Sequence, residues 1–209
     1  MSEEVVLRGG TIVRPGSKPE PMDLLLREGV IAGLLRPGEA VHDGVAQRSV
    51  NSLHVFPGLI DAHVHFGFGE KITEYDTETI YAAQGGFTTI LGYFLNNEAY
   101  TDVYEREQAY ARERCRVDYG FHFCAANEVH IRELADYVER YGVTSFKFFM
   151  NFKGDEGRYM GLDGTDDGFF YDLLKESSRV GRPIIVCHTE NIEIVNRSAA
   201  RCRRAAATR

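Results

Sequence analysis

The sequence predicts an α/β protein: a parallel sheet built from repeated strand–helix units, preceded by a small all-β unit. Two observations carry this. Close-spaced β signals separated by glycine turns fill the first fifty residues. From residue 55 onward, apolar strand-like runs alternate with longer helical stretches, the pattern of parallel strands joined by right-handed crossovers. An open doubly wound sheet and part of a (β/α) barrel both fit the second pattern. A dinucleotide-binding sheet does not, because no Gly-x-Gly-x-x-Gly follows any strand.

In the first unit, residues 4–14 read as two short strands around the Gly9-Gly10 turn. Residues 22–27 and 30–35 read as a second pair around Glu28-Gly29. His42 and His54 lie in or beside this unit and read as surface or packing residues. In the second unit the strands are expected near 56–62, 86–93, 119–124, 144–150 and 183–188, about five βα units in all. Residues 73–84, 98–114, 129–141 and 168–178 read as helices. The helix at 98–114 carries Glu and Arg at i, i+3 and i+4, as a solvated face does.

The composition is that of a soluble globular protein, 44% hydrophobic and 26% charged. A net charge of −7 argues against nucleic acid as a partner. The acidic N-terminus lacks the features of a signal peptide, and no apolar run approaches the ~20 residues of a membrane span. Cys115, Cys124, Cys187 and Cys202 form no Cys-x-x-Cys pair, which fits a reducing cytoplasm. Cys124 and Cys187 sit in apolar strands and read as packing residues.

Unusual groups cluster at three strand ends. His63 and His65 stand at i and i+2, so on a strand their imidazoles project from one face and could share a cation. A Pro57-Gly58 turn precedes them, and Gly67 and Gly69 follow. Lys147 sits within Phe146-Lys147-Phe148-Phe149, where an ammonium ion is costly to bury. Its bland reading is snorkelling past the rings to water. Its functional reading is a desolvated, neutral amine able to take up carbon dioxide as a carbamate, an anion that bridges two metals. His188 ends the last strand and leads into Thr189-Glu190-Asn191. His122 and His130 flank the third strand and read as core or surface residues. Asn96 and Asn97, after the second strand, read as turn formers, with a substrate contact as the alternative.

Pro57-Gly58-Leu59-Ile60-Asp61-Ala62-His63-Val64-His65, then Ser145-Phe146-Lys147, then Cys187-His188-Thr189-Glu190-Asn191 resemble the amidohydrolase superfamily, in its hydantoinase, dihydropyrimidinase and dihydroorotase branch. The resemblance spans roughly residues 4–195. It implies a (β/α)8 barrel, here partial, with residues 1–54 as the N-terminal part of a small β-sandwich and 55–195 as the N-terminal part of the barrel. It also implies a centre of two divalent metals, usually zinc: His63 and His65 on one, carbamylated Lys147 bridging both, and His188 on the other. The implied activity is hydrolysis of C–N bonds in cyclic amides of hydantoin, dihydropyrimidine or dihydroorotate type. The implied partner is a small-molecule cyclic amide, with a homo-oligomer allowed. A catalytically impaired fragment or a non-catalytic scaffold of the same fold is the alternative.

Departures from that pattern set further expectations. The resemblance calls for a sixth-strand histidine as a further metal ligand and for an eighth-strand aspartate as general acid/base, and neither has a place here. Asp61, Asp163, Asp166 and Asp167 cannot take the aspartate's role; Asp61 is expected to orient a ligand histidine or cap its strand. Phe66-Gly67-Phe68 stands where a carboxylate-gripping arginine is usual, and Phe152 where an oxyanion-stabilising tyrosine is usual, with Tyr159 as a substitute. Residues 196–209 are an atypical Arg/Ala-rich tail. It is read either as the product of a lost reading frame in a truncated gene or as a solvated basic helix.

Overall fold

The computed structural model describes residues 4–66, 71–159, 165–181 and 183–207. The chain divides into two compact units, Met1–Gly58 and Leu59–Arg209.

The first unit is a five-stranded mixed sheet centred on β1 (Glu4–Ile12). β2 (Glu20–Arg27) pairs with β1 antiparallel and carries β3 (Val30–Leu35) on its far side. β4 (Ala46–Ser49) and β5 (His54–Val55) both run parallel to β1. Residues 4–12 form one continuous strand, so the expected turn at Gly9-Gly10 is a bulge instead. The β1–β2 register slips between Leu7 and Gly10, and Gly9 takes φ +78°. A Cβ at Gly9 would also meet Asn51 Oδ1 at 1.8 Å, so only glycine fits there. The β2–β3 turn is as expected: Glu28 and Gly29 both have positive φ, as a tight two-residue hairpin turn requires.

One carboxylate anchors this unit. Asp23 is 1% exposed. Its Oδ2 accepts from Arg8 Nη1 at 2.7 Å and from the Gly38 N–H at 2.8 Å, while Oδ1 accepts from the Gly9 N–H at 2.8 Å. Burial alone would raise its pKa. The hydrogen bonds from Arg8, Gly9 and Gly38 outweigh burial and hold it below the usual aspartate value.

The second unit is a parallel sheet in strict chain order: β6 (Leu59–Val64), β7 (Phe87–Phe94), β8 (Asp118–Cys124), β9 (Ser145–Phe149) and β10 (Ile184–His188). Each strand is laid beside the one before it, as successive right-handed crossovers dictate. The crossovers contain α1 (Lys71–Gln84), α2 (Tyr100–Arg114), α3 (Glu128–Arg132), α4 (Leu134–Tyr141), α5 (Asp155–Tyr159) and α6 (Asp167–Val180), and α7 (Ile192–Ala207) follows β10. The single helix expected over 129–141 is two, divided at Glu133. That residue takes φ −93°, ψ 5°, and its carboxylate accepts from Thr101 and Tyr137. Local chemistry sets the ends. Asn127 caps α3 through the Val129 and His130 amides, Asp166 caps α6 through Phe169, and Gly142 and Gly181 end α4 and α6 in the left-handed conformation. The Arg/Ala-rich segment is mostly exposed helix within α7.

Strand alternation divides the side chains between two faces. One set, including Phe94, Phe123, Phe146 and Phe148, packs with Tyr100, Leu134, Tyr137 and Leu173 from the helices. Phe66 joins Tyr75 and Ile90 in a neighbouring cluster, its ring lying over Gly92, where a Cβ would meet it at 2.4 Å. The opposite set, led by Tyr93, Cys124 and Phe149, forms a smaller cluster with Val186. Among the described residues no helix is long and apolar enough to cross a membrane.

Candidate metal centre

The second face carries the polar groups singled out in the sequence. His63 and His65 leave the end of β6 together, with Nε2 atoms 3.3 Å apart. Two imidazole nitrogens on one tetrahedral cation, each about 2.0–2.1 Å from it, would lie about 3.3–3.4 Å apart, so the pair has the bite of a chelate. The alternation that turns these rings to one face turns Val64 and Phe66 to the other, into the helix-side cluster.

Tyr93 of β7 joins the pieces, and the sequence reading missed it. Its Oη lies 3.3 Å from His63 Nδ1, its ring stacks on His65 at 5.0 Å, and Lys147 Nζ sits 4.8 Å above the same ring. Burial, with Cys124 nearby, raises its pKa and keeps the phenol neutral. In an apolar strand a tyrosine looks like core, so only the pairing of β6 with β7 reveals the role.

Lys147 is 2% exposed, which overturns snorkelling. Phe146 and Phe148 face the helices, whereas Lys147 shares its face with Phe149, whose ring centroid is 5.0 Å from Nζ. Burial lowers its pKa, toward the neutral amine. The imidazoles respond alike. His63 is shifted down by burial first and then by Lys147; His65 is shifted down by burial, His63 and Lys147. Unprotonated imidazole is the form that ligates metal.

His188 ends β10, level with Phe149 and one strand beyond Lys147. Its ring lies 5.7 Å from the Phe149 ring, and its Nε2 contacts the Glu190 carboxylate. Among the described residues no three His, Cys, Asp or Glu side chains converge as a ready metal cage. The donor set thus fits a cation at His63 and His65 with Lys147 beside it, while His188 is turned to its own neighbour.

The remaining candidates have local tasks. Asp61 Oδ1 accepts from the His63 N–H at 3.0 Å, fixing the strand end and not a ring nitrogen. Asp166 caps α6, and Asp167 pairs with Lys153 at 2.9 Å. Asp163, Gly67, Phe68 and Gly69 lie outside the described residues, as does the side chain of Tyr159. Phe152 stacks on Phe149 at 4.5 Å. His130 accepts from the Ala126 N–H, donates to the Glu98 carbonyl and stacks on Tyr100. His42 contacts Glu4 at the surface, and Asn96 accepts from the Glu98 amide in a turn. Cys124 is fully buried and its thiol pKa is raised, the behaviour of a packing residue.

Fold and site together define an α/β protein with a His/Lys cluster at the carboxyl edge of a parallel sheet. Residues 53–201 match the family model described as dihydro-orotase-like, and the chain belongs to that family. It is 33% identical over 199 residues to a D-hydantoinase of Geobacillus stearothermophilus, covering 91% of this chain and 40% of that protein. It is 30% identical over 204 residues to a dihydropyrimidinase of Arabidopsis thaliana (93% and 36%) and to an allantoinase of Rubrobacter xylanophilus (95% and 42%). A crystal structure of a D-hydantoinase superposes with a TM-score of 0.77 at 27% identity, over 92% of this chain and 41% of that one. The chain thus spans about 40% of the length of the relatives it matches.

Proposed function

We propose that this chain carries the N-terminal half of the metal centre of a cyclic-amide hydrolase, cleaving ring C–N bonds of the hydantoin, dihydropyrimidine or dihydroorotate type. Its parallel sheet would be the first part of a (β/α)8 barrel, and its mixed sheet part of a β-sandwich. The observation that carries this reading is the meeting of His63, His65 and Lys147 around Tyr93. His63 and His65 would hold one divalent cation, His188 a second, and a carbamate on Lys147 both, zinc being the ion these donors favour. Bound there, divalent ions supply Lewis-acid polarisation of a carbonyl and activation of water.

The chain's own residues do the rest. Lys147, kept toward its neutral form by burial, attacks carbon dioxide through Nζ; a C–N bond forms as one C=O π bond breaks with its pair moving onto oxygen, and one N–H proton is lost, leaving the carbamate anion. Tyr93 and Phe149 wall this nitrogen from bulk water. Asp61 fixes the backbone from which His63 projects. The four free thiols fit a reducing compartment such as the cytoplasm.

One observation favours the alternative of an impaired or non-catalytic scaffold: His188 is engaged by Glu190. Elemental analysis of the purified chain, mass spectrometry of Lys147 and assays on dihydrouracil, hydantoin and dihydroorotate separate the two. Bound metal with a carbon dioxide adduct on Lys147 supports the metal centre, and ring opening supports the hydrolase. Metal-free protein that stays metal-free on addition of Zn²⁺ and bicarbonate overturns both.

A further inference from the structure

The histidine pair stands beside an irregularity of β6. The β6–β7 register runs Asp61 with Ile90, then Val64 with Gly92, so Ala62 and His63 together face one residue of β7. Such a bulge re-aims the side chains around it, and something must hold its extra residue in place. His122 of β8 does this from two strands away. Its Nε2 lies 3.0 Å from the Ala62 carbonyl oxygen, the peptide that leads into His63. A ring nitrogen facing a carbonyl carries a hydrogen, so in the neutral ring Nδ1 accepts, and it meets the Ser145 hydroxyl.

Ser145 lies two residues before Lys147 at the start of β9. The β8–β9 ladder has only two paired positions, Phe123 with Phe146 and Cys124 with Lys147. The next rung back would pair His122 with Ser145, and there a cavity of about 420 Å³ opens, lined by Tyr119, His122, Gly142 and Ser145 among others. The side-chain bond therefore stands where the backbone ladder parts. The ring of His122 also lies 4.9 Å from that of Tyr93, which bridges the gap over β7.

We infer that His122 is a positioning residue of the metal centre: by tying the Ala62–His63 bulge to Ser145 it fixes His63 and His65 relative to Lys147. This rests on the proposed metal centre. A hydrogen-bonded group behind a ligand is worth about 10–100-fold in metal affinity.

The test compares the 209-residue chain with its H122F, H122Q and S145A versions. Imidazole nitrogen NMR of His63 and His65 is recorded without metal, and Co²⁺ affinity is measured by chelator competition. H122F is expected to shift both imidazole signals and to weaken Co²⁺ about 10–100-fold. H122Q keeps an N–H for the Ala62 carbonyl and is expected to recover most of both, with S145A between. Wild-type signals and affinity in H122F, or no recovery in H122Q, overturn the inference. If H122F does not fold, S145A decides: unchanged signals and affinity overturn the inference, and shifted ones support it. A wild-type chain that takes no Co²⁺ counts against the metal reading alone, and the imidazole signals then judge His122 by themselves.

Discussion

The phenol oxygen of Tyr93 lies 3.3 Å from Nδ1 of His63, while the ring it belongs to stacks on His65. With Nδ1 held by a neutral phenol, Nε2 is the nitrogen left to face the chelate. Y93F deletes the oxygen and keeps the ring. It should weaken divalent metal about tenfold, the low end for a group behind a ligand, and leave the unfolding midpoint almost unchanged. Competition titration alongside thermal melts tests this. Equal affinities would mean that Tyr93 only packs.

Lys147 sets stability against function. Its amine is buried among Tyr93, Cys124, Phe149 and Val186, and burial depresses its pKa. K147M keeps the volume and removes the desolvated amine. It should raise the unfolding free energy by about 1 kcal/mol and, on the proposed metal centre, remove the bridging ligand, so that at most one equivalent of metal is retained. Urea unfolding and elemental analysis read the two effects separately. A less stable K147M would mean that the amine–ring contacts outweigh desolvation.

Much of this was legible in the sequence, for identifiable reasons. The three inner parallel strands hold buried side chains and the two outer ones do not, yet all five read as apolar runs and lie within a few residues of their expected positions. His63 and His65 stood out by the strand period, and Lys147 by being a charge in an aromatic run. What the sequence hid depends on pairing. Gly9-Gly10 suits a turn or a bulge equally, and only the register with β2 decides. The bulge at Ala62–His63 is likewise a property of two strands. Tyr93 and His122 look like core residues until their neighbours across the sheet are known.

The first unit should be acid-sensitive through Asp23. Its folded pKa lies below the ordinary value of 3.8, because hydrogen bonds from Arg8, Gly9 and Gly38 overcome the burial that alone would raise it. A depressed carboxylate stabilises fully above the unfolded pKa, and that contribution fades as pH falls below it toward the folded value. Stability of the unit should therefore drop as pH falls below about 4. D23N should lose on the order of 2 kcal/mol at neutral pH and show a flatter acid limb. Circular dichroism melts from pH 3 to 7 follow both. An unchanged acid limb in D23N would place the acid-sensitive group elsewhere.

The outer strands of the parallel sheet predict how the chain behaves in solution. Among the described strands, β6 and β10 each pair on one side only. Both expose apolar side chains, Ile60 at 65% and Ile184 at 67%, and α7 adds Ile194 and Val195. An edge with unpaired backbone groups and apolar flanks is a template for pairing with another chain, and proteins that manage such edges place lysine on them. The 209-residue chain should therefore self-associate at about 10 µM, and the I60K/I184K double variant should associate less at equal secondary-structure content. Sedimentation velocity over a concentration series, with circular dichroism as the control for folding, distinguishes the cases. A monodisperse wild-type monomer would mean that these edges are already protected, and a variant that associates as strongly as wild type would move the sticky surface to α7.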